Sequence, residues 1–130
     1  MKTLRSFFAV SFLVLGFGLL NNSSAQSIYF CEGVDSDGQP QSASTKFTIP
    51  KAEGYLYVLV RLPYDYNCSY ADFEIYYNGD YDNTISMDTK ENWTWFWKQI
   101  TFYDSGEYVI DVYDCNDDLV VSGTLQIDVE

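Results

Sequence analysis

The sequence predicts an all-β chain, folded as a single antiparallel sandwich of about seven to eight strands. Two observations carry that expectation. Apolar and polar residues alternate with period two in run after run, as with Phe73, Ile75 and Tyr77 against Asp72, Glu74 and Tyr76. Turn formers close these runs, among them Pro50, Pro63 and the Asn78-Gly79-Asp80 hairpin signal. Beyond residue 26 no stretch shows the 3.6-residue apolar period of a convincing helix.

Taken in order, a first strand is expected over Ile28–Val34, and Thr45–Ile49 alternates up to Pro50. Gly54 opens Tyr55–Leu62, where Leu56, Val58, Val60 and Leu62 share a face. Asp72–Tyr77 follows, then the hairpin, with Asn83–Met87 as a short edge strand. Trp93–Phe102 is a long strand. Residues 107–113 form the next one, and Asp114–Asp118 turns the chain into Leu119–Glu130, where Leu125, Ile127 and Val129 share a face. There is no internal repeat, linker or low-complexity tract.

The segment Asp104-Ser105-Gly106-Glu107-Tyr108 precedes Val109-Ile110-Asp111-Val112-Tyr113. A Gly-containing corner followed by Tyr, with apolar residues two and four positions on, resembles the tyrosine corner of an immunoglobulin-like sandwich. In such a corner the phenol of Tyr108 hydrogen-bonds to backbone upstream. Tyr108, Ile110 and Val112 are then expected inward, and Glu107, Asp111 and Tyr113 outward. Strand spacing across residues 26–130 resembles small bacterial immunoglobulin-like or fibronectin type III-like modules. Antibody-type domains carry a cysteine two residues past the corner tyrosine, and Ile110 stands there instead, which moves the likeness toward the fibronectin-like branch. The resemblance implies a fold and a role in adhesion or binding, without naming a ligand.

The N-terminus reads as a secretory leader. Lys2 and Arg5 precede the apolar run Phe7–Leu20, and Ser23-Ser24-Ala25 offers a small-x-small cleavage site, so residues 1–25 are expected to be removed. Fourteen apolar residues fall short of the roughly 20 that span a bilayer. The expected destination is the periplasm or the extracellular space, with no membrane span. Without Lys2 and Arg5, five basic groups face 19 acidic ones, a formal charge of −14 over 105 residues. That charge repels nucleic acid and anionic lipid, and favours solubility, cations or a basic protein surface. All twelve Tyr and three Trp lie in the same 105 residues.

Export makes a disulfide expected, and three cysteines leave one over. Cys68 and Cys115 fall in loops at the same end of a sandwich and are the favoured pair, with Cys31 a competitor for either. The absence of His removes Ser-His and Cys-His catalysis and argues against zinc, and no Gly-rich phosphate loop occurs. A 105-residue sandwich seldom encloses a carboxylate pair in a cleft, so no enzyme is expected. Asp35-Ser36-Asp37-Gly38 and Asp114-Cys115-Asn116-Asp117-Asp118 resemble oxygen-rich calcium loops, yet neither completes the twelve-residue pattern. They read as turns, and no cofactor is expected. Asn67-Cys68-Ser69 and Asn92-Trp93-Thr94 match the glycosylation sequon, with meaning only in a eukaryotic secretory pathway.

Trp93-Thr94-Trp95-Phe96-Trp97-Lys98-Gln99-Ile100 offers two geometries. In an unbroken strand with Ile100 and Phe102 inward, the three Trp face out beside Tyr55 and Tyr57, forming an aromatic platform for a glycan or protein, and Lys98 points in. A bulge at Lys98-Gln99 would instead turn the Trp residues inward and free the lysine. Burying a Trp removes about 150–250 Å² from water, worth roughly 4–6 kcal/mol as an upper bound. An unpaired buried Lys costs several kcal/mol. Both magnitudes favour the bulge, with Trp95 deepest. The expected function is a secreted, non-enzymatic binding module, acting in protein–protein or surface adhesion through sheet edges and aromatic loops such as Tyr64-Asp65-Tyr66. A carbohydrate-binding module using Trp93, Trp95 and Trp97 is the first alternative. An inhibitor of a secreted hydrolase, using the Tyr64–Tyr70 and Asp114–Asp118 end, is the second.

Overall fold

A computed structural model of the chain describes residues 26–51 and 54–130. The proposed leader and its cleavage site after Ala25 lie outside the described residues. Among the described residues ten strands occur: β1 Ser27–Cys31, β2 Gly33–Val34, β3 Pro40–Gln41, β4 Lys46–Ile49 and β5 Tyr55–Arg61 in the first half. The second half holds β6 Tyr70–Tyr77, β7 Asp80–Asp88, β8 Trp95–Thr101, β9 Gly106–Tyr113 and β10 Leu119–Val129. No helix occurs among the described residues, and the all-β expectation holds.

Five strands form one sheet in the order β4-β10-β9-β6-β7, and three form a second in the order β1-β5-β8. The strands β2 and β3 make a separate two-stranded ribbon. The sheets share one core: Leu56, Val58 and Val60 of β5 and Phe96 and Ile100 of β8 meet Phe73, Ile75, Ile110, Val112, Leu125 and Ile127 from the other side. Phe73 and Phe96 touch edge to face across it, centroids 6.4 Å apart.

One ladder departs from the antiparallel expectation: β4 pairs parallel with β10. The chain leaves the small sheet after β1, makes the ribbon, and joins the large sheet running the same way as β10. The expected first strand, Ile28–Val34, is therefore broken at Glu32, with only Gly33–Val34 continuing into the ribbon. The edge strand expected over Asn83–Met87 is longer, beginning directly after the Asn78-Gly79 turn. Both turn residues have positive φ, 49° and 94°, as a two-residue hairpin of this hand requires.

The corner forms as the sequence predicts. The Tyr108 hydroxyl donates to the Asp104 carbonyl at 2.8 Å, and Tyr108, Ile110 and Val112 are buried. Gly106 has φ 153°, and a Cβ there would come within 2.5 Å of the Tyr77 ring. Asp111 and Tyr113 correct the outward assignment. They alternate onto the outer face of the large sheet, yet stay only 4% and 1% exposed. Asp111 is kept there by the Ser122 hydroxyl, which donates to its carboxylate from the opposite register position.

Cys68 and Cys115 are joined, with Cα atoms 5.7 Å apart, and Cys31 is a buried free thiol. Burial pushes the Cys31 thiol above its usual range. The disulfide clamps the loop before β6 to the turn after β9. The same end is tied to the β7–β8 loop by the Tyr66 and Asn67 N–H groups, which donate to the carbonyls of Trp93 and Glu91 at 2.8 Å each.

Candidate functional site: the tryptophan edge

The geometry of the tryptophan segment follows from its register. β8 pairs with β5 without a shift from Tyr55↔Thr101 to Arg61↔Trp95, so there is no bulge at Lys98-Gln99. Phe96 and Ile100 face the core opposite Val60 and Leu56, and Trp95 and Trp97 lie on the outer face opposite Arg61 and Leu59. The expectation of an inward turn is overturned for Trp95 and Trp97, while Trp93, ahead of the strand, packs against the core. Lys98 is half-buried on the core-facing side opposite Val58. The cost that favoured a bulge is avoided because β8 is an outer strand, where a flexible stem can carry the ammonium to water.

The three tryptophans have different surroundings. Trp93 precedes the strand, is half-buried, and packs against the core beside Phe96 with centroids 6.5 Å apart. Trp95, expected to be the deepest, is half-buried under the ribbon turn, where a Cβ on Gly38 would come within 2.4 Å of its ring. Gly38 has φ +77°, so this turn needs glycine on both counts. The Arg61 guanidinium donates to the Gly38 carbonyl and fixes the turn over the sheet. Trp97 is open, 40% exposed. Its ring meets Tyr57 at 5.0 Å and 74°, and Tyr57 meets Tyr55 at 6.1 Å and 81°. Of the five platform residues, Trp97, Tyr57 and Tyr55 come together in a corrugated strip, while Trp93 and Trp95 are diverted.

Sequence reasoning missed the roof. Leu59 and Cys31 are fully buried on the outer face of the small sheet, where the ribbon folds over. A signal was present: Val58-Leu59-Val60 does not alternate, as expected of a strand covered on both faces.

The main chain of β8 has one free side. Leu62 N–H donates to the Thr94 carbonyl at 2.8 Å, and Phe102 N–H to the Gly54 carbonyl at 2.9 Å. In an antiparallel ladder bonded pairs recur every second residue, so Phe96, Lys98 and Ile100 also bond toward β5. The N–H and C=O groups of Trp95, Trp97, Gln99 and Thr101 therefore point away from the sheet, and no partner for them occurs among the described residues. Two clefts lie along this side. One, of about 470 Å³, is lined by Met87, Asn92 and Trp93 to Trp97. The other, of about 370 Å³, runs from Gln99 to Asp104 and includes Asp82, Ile85 and Tyr108.

Most of the remaining candidates are held in internal contacts. Tyr66, expected to contact a partner, is buried against Phe96, and its hydroxyl donates to the Tyr70 carbonyl at 2.9 Å. Burial pushes its phenol far above the usual range. Tyr64 stays exposed. The Asp35 carboxylate accepts the N–H groups of Asp37 and Gln39, and Asp114 those of Asn116 and Asp118, all at 2.9–3.0 Å. Both loops are thus side-chain-braced turns. Among the described residues no group of three or more His, Cys, Asp or Glu is placed to hold a metal ion, and no helix is long and apolar enough to cross a membrane. No family model matches the chain, and no curated protein matches it either.

Proposed function

We infer that the chain is an exported, non-enzymatic binding module with an immunoglobulin-like sandwich, and that it holds a protein partner through β8. The strand order and the Tyr108 corner support the fold reading. The disulfide suits an oxidising compartment, as export into the periplasm or beyond would provide. One observation carries the functional reading. In a chain of formal charge −12, residues 93–103 contain no acidic group and one charge, Lys98, and within them lies a strand with both an open main-chain edge and an exposed Trp.

Depletion of charge with enrichment of Trp and Tyr is the compositional mark of an interface core. A photo-crosslinking residue placed at Gln99 should capture a protein from native medium, and the same residue at Thr84 on β7 should not. Loss of the adduct in a Trp97→Ala background ties it to the site. Equal capture from both positions would sink the reading.

A glycan ligand is the second reading, favoured by the outward placement of Trp97, Tyr57 and Tyr55. Their near-perpendicular rings make a poor shelf for a flat sugar ring. Glycan binding that vanishes in Trp97→Ala would move the assignment to this class.

A further inference from the structure

We propose that the groove between β7 and β8 docks an extended polypeptide strand, which pairs with the main chain of β8 and carries an apolar residue and a basic residue on one face. The proposal rests on reading the chain as a protein-binding module and specifies the partner's chemistry. Main-chain pairing to a free edge supplies affinity, and pockets for alternate side chains supply specificity.

The free groups of Trp95, Trp97, Gln99 and Thr101 offer such a ladder over six residue steps, about 20 Å at strand spacing. Every second side chain of an added strand would face the clefts beside β7. Next to Phe96 it meets the apolar cleft with Met87 and Trp93, which takes a Leu-sized group. Next to Lys98 a charged group is unneeded, and a small polar residue fits. Next to Ile100 it meets the cleft holding Asp82 and Asp104, whose carboxylates select Lys or Arg. The strand so defined reads apolar-x-polar-x-basic along one face, in either chain direction. The negative charge of the whole chain steers such a segment inward and rejects acidic ones.

The probe is the blocked nonapeptide Thr-Val-Thr-Leu-Thr-Ser-Thr-Arg-Thr, with its reversed sequence for the opposite direction. Amide hydrogen exchange of the full chain is read by NMR with and without each peptide. At saturation one of the two should slow exchange at Trp97 and Gln99 by roughly tenfold or more, with β7 amides unchanged. Methylating alternate backbone nitrogens of that peptide should abolish the effect. Replacing its Arg by Glu, or making Asp82→Asn with Asp104→Asn, should weaken binding by roughly tenfold. Gln99→Pro removes an N–H that β5 does not use and should lose the peptide, while Gln99→Ala keeps it. If Gln99→Pro does not fold, the methylated peptide decides alone.

No protection by either peptide, protection that survives methylation, or protection that follows protein concentration without peptide would overturn the proposal, the last in favour of a second copy. Glycan-induced shifts at Trp97 without protected edge amides would overturn it as well. If Trp97→Ala still abolishes protein capture while neither peptide protects β8, strand addition fails and the binding-module reading stands.

Discussion

On the open side of the sandwich, β7 and β8 both expose main chain, and they guard it in opposite ways. The pairing of Thr89 N–H with the Ser69 carbonyl sets the β6–β7 ladder, leaving Thr84, Ser86 and Asp88 with groups facing outward. That edge carries Asp80, Asp82 and Asp88, and its register slips where Asp82 is passed over between Asn83 and Tyr81. Charge and a bulge are two devices that keep an edge from pairing with another chain. β8 has no bulge, its register being continuous, and it carries a single charge, Lys98, against three on β7. On the other side, β1 and β4 are joined through the ribbon, with Phe30 bridged to Ser44. With β7 charged and bulged, and β1 and β4 shorter and linked by that bridge, β8 is the longest lightly guarded edge.

The largest expected effect leaves that contrast untouched. Cys115→Ser opens a span of 47 residues and should cost about 4 kcal/mol on the chain-entropy account. Urea melts of the variant and of wild type in reductant should agree, and Cys31 should stay unreactive to alkylation in native protein. Next comes the roof over Trp95. Gly38→Ala, strained at φ +77° and blocked by the ring, should cost about 2–3 kcal/mol, against less than about 0.5 for Thr84→Ala on β7. Equal costs would mean that the ribbon does not fix β8.

High pH should attack the large sheet. Burial, with Glu74 accepting its hydroxyl and Asp111 nearby, raises the Tyr76 phenol from 10.0 to about 12, and burial raises Tyr108. These raised values favour the protonated folded state, so the stability they provide is complete below pH 10 and lost as pH climbs through about 12. Melting temperature followed from pH 9 upward checks the sign. A smaller effect on the fold than that of Gly38→Ala is expected for Trp97→Ala, about 1 kcal/mol for an outer-face ring with one edge contact, while partner capture should be lost.

The sandwich was legible because its signals are local. Alternation marks the strands, Asn78-Gly79 the hairpin and Gly106-Glu107-Tyr108 the corner, and the Cys68–Cys115 pairing followed from placing two loops at one end. The tryptophan strand was misread because its energetics were settled elsewhere. The cost assigned to Lys98 assumed a closed core, and an outer strand relaxes it. The gain assigned to Trp95 assumed that burial requires the core, while Gly38, 57 residues earlier, covers part of it from outside. Asp111 and Tyr113 were misplaced for a similar reason: period two gives the face, and burial on that face depends on neighbouring strands. Edge status, on which the candidate site rests, is a property of strand order and has no local sequence signal.

The most direct measurement is residue-resolved hydrogen exchange of the free protein along β8. An unbroken ladder with one open side predicts slow exchange at Phe96, Lys98 and Ile100 and fast exchange at Trp95, Trp97, Gln99 and Thr101. A break in that alternation at Lys98-Gln99, or protection of all seven amides, would contradict it.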